Sequence, residues 1–406
     1  MHRGISGSFD ERAWGQETRG VSTDRNYIYD LSSSSHNDND RLPRSLRRAA
    51  CRFRVRFNQL HRDLIMTPRL VREKHVKYFL RLLQIMPSNL TDFDSTRPMI
   101  AYFAFSGLDL LNSLDEIGEQ AKSEAIDWIY GLQVEGAGPR SGFQSSTMIP
   151  KDVPEYQYGH LAMTYTSLVT LLILDDDLSR VDRLSIIEGV RACQNPDGSF
   201  TAMVTGCESD MRFLYCASCV SAILDDWSGV DIPRAIDYIL RSISYDGGIG
   251  QGPGLESHGG STFCAVASLF LMREHINILE VLTRDRLARL KRWCLMRQDG
   301  GFNGRPGKPS DTCYSFWVGA TLELLEFLNF SDAEQNKTFI LNTQDTVVGG
   351  LAKFDNIRSD PLHTYLGLCG LSLLRQPGLC SINPELNISQ RAYEHLQRIH
   401  KKWRNE

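Results

Sequence analysis

Three residues whose side chains commonly bind metal ions lie in the C-terminal part of the chain: Asp311, Cys313 and His363. Carboxylate, thiolate and imidazole groups all bind zinc, and three protein ligands with an open fourth position are typical of a catalytic zinc site. Each residue also has an ordinary structural explanation. Asp311 could be a helix N-cap, Cys313 a core thiol and His363 a capping histidine. Their spacing alone leaves both interpretations open.

Cationic side chains come just before this cluster. Arg305 and Lys308 flank a Pro-Gly turn, and two cations at that spacing suit an anionic ligand such as a diphosphate. Arg212 and His258 occur at equivalent points of the preceding segments. A solvated surface charge would explain any one of these residues, but their recurrence favours an anion site.

Aromatic residues are frequent in the apolar segments around these groups: Tyr102, Phe103, Tyr165, Phe213, Tyr215, Tyr314 and Trp317. Buried aromatic residues usually belong to a core. If the apolar segments surround a cavity, however, the same residues form its wall. An apolar cavity with a cationic rim fits a ligand that has a long hydrocarbon tail and an anionic head.

The segments that must position these residues repeat along the chain. From residue 70 onward, apolar helical stretches alternate with glycine-rich turns that recur roughly every 50 residues, which indicates a repeat architecture. The turns contain Gly142-Phe143, Gly198-Ser199-Phe200, Gly247-Gly248-Ile249, Gly300-Gly301-Phe302 and Gly349-Gly350-Leu351.

Helices that are apolar on all faces follow the turns, as in residues 161–174 and 315–328, and such helices must be buried on every side. Charged helices such as residues 284–297 precede the turns and must lie outside. No segment shows the alternation of a β-strand. The pattern predicts an all-α fold, an α–α barrel in which inner helices line a cavity and outer helices surround them. Cys313 and His363 would then begin neighbouring inner helices at one end of the barrel.

The composition argues against several functional classes. The net charge of −4 disfavours a general nucleic-acid-binding protein, and no apolar run has the length of a membrane span. Ten cysteines without framework spacing indicate a reducing compartment, so we expect a cytoplasmic protein. The aspartates at 175–177 follow an apolar run, which favours a surface turn over a magnesium site.

Three regions are predicted along the chain. Residues 1–69 form a disordered, partly basic N-terminal extension, residues 70–395 the α–α barrel, and residues 396–406 a polar C-terminal tail. An arginine-rich run within residues 41–62 is interpreted as a solvated basic segment, with a contact to an anionic membrane or partner as the alternative.

Over roughly residues 70–395 the chain closely resembles the β subunits of protein prenyltransferases. The likeness lies in Leu-Glu-Ser-His-Gly-Gly from residue 255, Asp-Thr-Cys-Tyr from residue 311 and Asp-Met-Arg from residue 210. These motifs are most similar to the type I geranylgeranyl branch. The resemblance implies an α6–α6 toroid built from prenyltransferase repeats, one zinc ion per β subunit, and an α subunit shared with the farnesyl enzyme. It also implies geranylgeranyl diphosphate and proteins ending in Cys-a-a-X, such as Rho, Rac or Rap small GTPases, as substrates.

The resemblance also implies roles for individual residues. The positions that match zinc ligands are Asp311, Cys313 and His363. The positions that match diphosphate-binding residues are His258, Arg305, Lys308, Tyr314 and Lys353. The positions that match the isoprenoid wall are Met99, Phe103, Arg212, Tyr215 and Trp317. The positions that match the pocket for the last peptide residue, mainly leucine, are His160, Ala162, Phe213 and Leu362.

Two positions distinguish the branches of that family. Farnesyl enzymes have an aspartate ten residues before the zinc histidine, where it helps to hold magnesium; this chain has Lys353, so magnesium should not be required. Farnesyl enzymes have tryptophan where this chain has Met99 and type I geranylgeranyl enzymes have threonine. Methionine is intermediate in bulk, which leaves the depth of the cavity undetermined.

Other functions remain as alternatives. The chain could be a farnesyltransferase β subunit or, from another class, a non-catalytic helical-repeat scaffold with an empty cavity. A terpene cyclase on a similar barrel would need an Asp-x-Asp-Asp motif facing the cavity, and the sequence offers none in such a position.

Overall fold

A computed structural model describes residues 68–85, 95–136, 138–149 and 153–405. The predicted N-terminal extension, with its arginine-rich run, lies outside the described residues except for residues 68 and 69.

Helices joined by short turns make up most of this structure. The α-helices, in chain order, are α1 (Arg72–Gln84), α2 (Arg97–Leu110), α3 (Glu119–Tyr130), α4 (Leu161–Ile173), α5 (Arg183–Ala192), α6 (Met211–Ile223), α7 (Ile232–Arg241), α8 (Gly259–Leu271), α9 (Ile278–Val281), α10 (Arg284–Leu295), α11 (Tyr314–Leu324), α12 (Ala333–Asn342), α13 (Pro361–Leu373) and α14 (Gln390–Trp403). Short 3₁₀ helices span Leu114–Ile117, Gly138–Arg140, Pro154–Tyr156 and Leu328–Phe330.

Short antiparallel ribbons form at some of the turns. The strands are β1 (Gln133–Val134), β2 (Gly142–Phe143), β3 (Gln298–Asp299), β4 (Gly301–Phe302), β5 (Ile382–Asn383) and β6 (Ile388–Ser389). They pair as β1–β2, β3–β4 and β5–β6. The first two ribbons contain glycine-rich turns that the sequence marked as repeats.

The inner helices α2, α4, α6, α8, α11 and α13 form a closed ring, in which each helix contacts the next and α13 contacts α2. From outside, α1, α3, α5, α10 and α12 each contact the inner helix that follows them. The predicted all-α barrel with inner and outer layers is therefore confirmed. No helix among the described residues combines the length and the hydrophobicity that crossing a bilayer requires.

The burial of each helix follows its sequence pattern. Every residue of α4 is buried, because an inner helix faces both the barrel interior and the outer layer. In the charged outer helix α10, the buried residues are Leu290, Trp293 and Cys294, which form a single stripe. This difference is the one that the apolar and charged segments of the sequence predicted.

A repeated backbone hydrogen bond aligns the beginnings of the inner helices. An amide at the start of one helix donates to a carbonyl in the turn before the next inner helix. The pairs, at 2.7 to 3.2 Å, are Leu161 to Ala202, Met211 to Gln251, Gly259 to Gly304, and Thr312 to Lys353. The helix starts and these turns consequently share one end of the barrel, which we call the mouth.

The C-terminal segment closes the opposite end of the barrel, where the inner helices finish. Before the β5–β6 hairpin, the amide of Cys380 donates to Leu110 O at the end of α2, at 2.8 Å. Helix α14 then crosses the ends of α4 and α6, where Arg391 donates to Ile173 O and His400 contacts Ile223 O. We call this end the closed end.

The prediction of a polar tail that begins at residue 396 is wrong, because α14 continues past residue 396 to Trp403. Leu396 and Ile399 are buried, and the guanidinium of Arg183 lies 3.7 Å from the centroid of the Trp403 ring. The polar residues that prompted the tail prediction form the exposed face of an amphipathic helix.

The aspartates at 175–177 lie in the turn that follows α4, at the closed end. Asp175 pairs with Arg391 at 2.7 Å, and Asp176 accepts a hydrogen bond from the hydroxyl of Tyr130 at 2.6 Å. Asp177 accepts from a backbone amide within the same turn. Each carboxylate has a protein partner, which supports the interpretation as a surface turn.

Candidate metal and diphosphate site

The predicted zinc ligands converge at the mouth. The ligand atoms of Asp311, Cys313 and His363 lie within 4.8 Å of one another, and all three residues are buried. Cys313 is the N-cap of α11, while His363 lies in the first turn of the neighbouring helix α13. A carboxylate oxygen, a thiolate sulfur and an imidazole nitrogen at this separation fit one small cation, and zinc favours such a donor set.

A second carboxylate, Asp360, orients His363, and the sequence interpretation missed it. Asp360 is the N-cap of α13: one oxygen accepts from the amide of His363 at 2.9 Å, and the other lies 2.6 Å from Nδ1. Nε2 is therefore the nitrogen that faces Asp311, at 3.2 Å. A ligand histidine is commonly held by a carboxylate through its other nitrogen. The available signal was an acidic residue three positions before the histidine, at a helix start.

The protonation of the cluster depends on the partners of each residue. Burial, reinforced by the charge of Asp311, raises the pKa of Cys313 to about 12. Burial lowers the pKa of His363, but Asp360 and Asp311 outweigh burial and hold that pKa well above its ordinary value. Burial likewise raises the pKa of Asp311, yet the hydrogen bond from His363 keeps it below its usual range. Cation binding to these groups would therefore release protons.

Lys353 lies beside this cluster. Its Nζ is 3.7 Å from Oδ2 of Asp311, and its side chain is 31% exposed. Thr312, which is fully buried, donates from Oγ1 to Ala352 O at 2.7 Å and from its amide to Lys353 O at 3.2 Å. These bonds fix the turn that carries Lys353 against the turn that carries Asp311 and Cys313.

His258 and Tyr314 form a polar pair at the starts of α8 and α11. Nδ1 of His258 accepts from the amide of Gly260, so Nε2 is the nitrogen that meets the Tyr314 hydroxyl, at 2.7 Å. The tyrosine ring reaches this position only because residue 304 is glycine: a Cβ there would lie 2.2 Å from Cζ of Tyr314. The pair places two hydrogen-bonding side chains at the mouth.

Arg305 and Lys308 lie in the turn just before α11. Arg305 forms an ion pair with Glu256 at 2.8 Å, a partner that the sequence interpretation did not include. Lys308 is exposed, and its amide donates to Arg305 O at 3.3 Å. Together with Lys353 and the His258–Tyr314 pair, these residues place the predicted diphosphate-binding groups on consecutive turns of the mouth.

The predicted isoprenoid-wall residues Phe103, Tyr215 and Trp317 belong to a continuous row of aromatic side chains on the inner helices, which we call the aromatic row. Neighbouring centroids are 5.2 to 5.9 Å apart, in the order Trp317, Phe263, Tyr215, Tyr165, Tyr102, Tyr365 and Phe103. Met99 is buried one turn before Phe103 on α2. Phe263 and Tyr365 were missed; the available signal was a large aromatic residue in the second turn of successive inner helices.

Arg212 lies at the start of α6 and does not take part in these ring contacts. Its Nη2 is 2.6 Å from Oδ2 of Asp210, the N-cap of α6, and 3.6 Å from Glu208. Its guanidinium also lies 5.4 Å from the ring centroid of Phe213. The positive charge is therefore largely compensated by carboxylates at the mouth.

The residues predicted to contact the last peptide residue also lie at helix starts. The rings of His160 and Phe213 are 6.0 Å apart, and Ala162 is buried beside them on α4. Burial, with the positive charge of Arg212 nearby, lowers the pKa of His160 to about 4, so its ring is neutral at physiological pH. Leu362 lies beside His363 in the first turn of α13.

Comparisons with known proteins agree with this fold. The model of the prenyltransferase alpha-alpha toroid domain matches residues 70–388. The chain is 36% identical to the geranylgeranyl transferase type-1 subunit beta of Arabidopsis thaliana, over 78% of this chain and 88% of that protein. It is also 36% identical to the same subunit of Dictyostelium discoideum, over 79% of this chain and 95% of that protein.

A solved structure has the same architecture. It is the protein geranylgeranyltransferase-I of Candida albicans complexed with GGPP, with a TM-score of 0.75 and 28% identity; the match covers 82% of this chain and 99% of that chain. With the family model matching most of its length, the chain belongs to the prenyltransferase alpha-alpha toroid family.

Proposed function

We propose that this chain is the catalytic β subunit of a zinc-dependent protein geranylgeranyltransferase of type I. It would transfer a geranylgeranyl group from geranylgeranyl diphosphate to the cysteine of C-terminal Cys-a-a-X motifs, mainly with leucine as X. The observation that carries the proposal is the buried cluster of Asp311, Cys313 and His363 beside the cation Lys353 at one barrel mouth. The names of the similar proteins point to the same reaction.

In this proposal Asp311, Cys313 and His363 hold zinc, with His363 kept in place by Asp360. When bound, zinc would stabilise the thiolate of the substrate cysteine. The aromatic row on the inner helices would orient the hydrocarbon chain so that its C1 atom faces the cysteine sulfur. A carbon–sulfur bond then forms as the carbon–oxygen bond to diphosphate breaks.

Negative charge accumulates on the leaving diphosphate during this step. Lys353, Arg305, Lys308 and the His258–Tyr314 pair would stabilise it through groups that are already in position. Arg305 must exchange its bond to Glu256 for one to a phosphate oxygen. Both partners are partly exposed, so this exchange has a small energetic cost.

Substrate choice would depend on the apolar surroundings of His160 and Phe213. A neutral histidine, an alanine and aromatic carbon suit a leucine side chain better than serine or glutamine. Pockets of this kind discriminate by about 1–3 kcal/mol per side-chain difference, so some cross-reaction is expected. We further propose a shared α subunit as the obligate partner and small GTPases of the Rho, Rac or Rap type as protein substrates.

The test is co-expression of the full chain with an α subunit and an assay of prenyl transfer to peptides. We expect geranylgeranyl transfer to Cys-a-a-Leu with a higher kcat/KM than to Cys-a-a-Ser. Equal kcat/KM values for the two peptides would refute the pocket assignment. A preference for farnesyl diphosphate would favour the farnesyltransferase alternative, and a complex that transfers neither lipid would favour the scaffold.

Zinc is tested separately from activity. Cys313→Ala should abolish the zinc content of the purified complex. The control is Cys294→Ala, which removes a buried thiol on the outer helix α10 and should leave the zinc content unchanged. Metal analysis and the far-UV circular dichroism of both variants are compared. Stoichiometric zinc in the Cys313→Ala complex would show that the cluster is not the zinc site.

A further inference from the structure

A recurring contact joins a glutamine just after one helix to the start of another. In each case Oε1 of the glutamine accepts from the amide of the N-cap residue, at 2.7 to 3.0 Å. The pairs are Gln133 with Asp182, Gln194 with Asp231, Gln298 with Asp332, and Gln344 with Val71. The first three partners are the N-caps of later helices, α5, α7 and α12, whereas Val71 is the N-cap of α1. The last pair therefore joins the end of the repeat series to its first helix.

In two of the glycine-rich turns, a nearby carboxylate holds a buried backbone amide. The amide after the first glycine donates to an aspartate two residues earlier in the chain, at 3.0 to 3.1 Å. The pairs are Ser199 to Asp197 and Gly248 to Asp246. A buried amide without an acceptor is costly, so this carboxylate stabilises the turn.

The turn before α13, residues 345–353, which we call the last turn, solves the same problem differently. Its aspartate, Asp345, lies further from the glycines and accepts from the amides of Val347 and Val348, both at 2.9 Å. The buried amide of Gly350 donates instead to Nδ1 of His75, at 3.0 Å. An imidazole from α1 therefore takes the place that an aspartate has in the other two turns.

His75 is fully buried and oriented for this contact. Since Nδ1 accepts from an amide, Nε2 carries the proton and donates to Oε1 of Gln344, at 3.1 Å. Burial lowers the pKa of His75, although the hydrogen bond to Gln344 opposes this shift, so the neutral ring that the contact requires is favoured. Helix α1 packs so closely here that a Cβ at Gly349 would overlap the carbonyl oxygen of Lys74.

The last turn leads directly to the candidate site. The amide of Leu351 donates to Oγ1 of Thr364, the residue after His363, at 2.9 Å. Lys353 follows, and its carbonyl accepts from the amide of Thr312. The turn that carries Lys353 is thus held by α1 on one side and by the starts of α11 and α13 on the other.

We propose that His75 is a positioning residue for the leaving diphosphate: through the amide of Gly350 it holds the last turn so that Lys353 stays in place at the mouth. This inference rests on the proposed function and adds to it a residue from the first helix. His75 is buried behind the turn, so it acts through Lys353 and not by contact with a substrate.

The experiment separates the two contacts of His75 in the full α–β complex. His75→Asn keeps a side-chain oxygen near the place of Nδ1, whereas His75→Gln carries its amide group near the place of Nε2 and leaves the amide of Gly350 unpaired. We expect the single-turnover rate of prenyl transfer to fall about tenfold in His75→Gln, less than the ~100-fold that complete removal of a stabilising group can cost. His75→Asn should retain most of the wild-type rate. The KM for the peptide and the zinc content should not change.

A double-mutant cycle measures whether the effect passes through Lys353. When residue 353 is already alanine, His75→Gln should lower the rate by less than about twofold more. A residue that only stabilises the fold would lower the rate equally in both backgrounds. Amide hydrogen exchange at residues 350–353 should be faster in His75→Gln than in His75→Asn.

Asp197→Ala is the matched control, because it removes the equivalent acceptor from another turn. It should leave the single-turnover rate unchanged. If His75→Gln gives no folded complex, Gln344→Asn decides, since it shortens the side chain that orients His75. That variant should show the same dependence on Lys353 with a smaller loss of rate.

Three results would overturn the inference. An equal loss of rate with and without Lys353 would show that His75 does not act through the lysine. A wild-type rate in His75→Gln would show that the bond to Gly350 does not position the turn, and the same loss in Asp197→Ala would show that the effect is not particular to the last turn. A wild-type complex that transfers no prenyl group would instead overturn the proposed function, and this inference with it.

Discussion

At the scale of single residues, the mouth is organised by pairs in which one side chain positions another. Asp360 holds Nδ1 of His363, and His258 meets the hydroxyl of Tyr314. Such partners determine which nitrogen of each histidine faces the site. Changing a positioning residue should therefore alter the affinity of the site even where the ligands themselves are intact.

Asp360→Ala is expected to weaken zinc binding by about 10- to 100-fold, because His363 loses the carboxylate that orients its ring. Asp332→Ala is a matched control, since Asp332 is the N-cap of the outer helix α12 and likewise accepts from an amide three residues later. Each variant loses a cap worth about 0.5–2 kcal/mol. Chelator competition measures zinc affinity, and equal affinities in the two variants would contradict the positioning role.

Lys353 gives rise to a prediction about magnesium. An ammonium group repels a cation but can contact diphosphate oxygens directly, so turnover should require zinc and not magnesium. Lys353→Asp should slow turnover without magnesium and regain part of it when millimolar magnesium is added. Lys401→Asp, an exposed change on α14, is the control. A wild-type enzyme that loses activity on selective removal of magnesium would refute this assignment, as would a Lys353→Ala variant with unchanged turnover.

At the scale of elements, the C-terminal helix α14 is part of the barrel. It lies across the ends of α4 and α6 and buries Leu396 and Ile399. A helix that closes one end of a ring couples several inner helices at once. Its loss should therefore affect the whole fold more than loss of a terminal tail would.

Leu396→Ala tests this role. Leu396 is 2% exposed, so its truncation should lower the free energy of unfolding by about 2–5 kcal/mol. Lys401→Ala, at an exposed position of the same helix, should change it by less than about 0.5 kcal/mol. Denaturant unfolding of the α–β complex compares the two. Equal stabilities would mean that α14 contributes little to the barrel.

At the scale of the whole molecule, the outer layer presents large apolar side chains to its surroundings. Tyr245 is 92% exposed, Leu184 77% and Met296 64%. Single exposed apolar residues are common in proteins, but burial against a partner would stabilise them. Exposed apolar side chains on the outer layer are compatible with the binding of the proposed α subunit to that layer.

The corresponding prediction is a 1:1 heterodimer. Co-expression with an α subunit should give a soluble complex by size-exclusion chromatography, whereas the chain alone should express poorly and show little transfer activity. Each species is assayed with geranylgeranyl diphosphate and a Cys-a-a-Leu peptide. Full activity of the isolated chain would contradict an obligate partner.

The sequence by itself determined the two-layer helical barrel and the types of residue at its mouth. Fully apolar and charged helices alternate, and burial follows directly from that local pattern, as α4 and α10 illustrate. Repeating turns placed Cys313 and His363 at neighbouring helix starts. These features depend on the hydrophobicity and the spacing of residues within one repeat, and both can be read directly from the sequence.

Only the tertiary structure decided what closes the barrel and which groups support the site. The hairpin reaches Tyr102 and Tyr165, and α14 reaches Arg183, over separations of more than two hundred residues. No local pattern marks such contacts, because they exist only once the ring of inner helices has closed. The role of Asp360 became visible for the same reason, because it depends on where the ring of His363 lies in space.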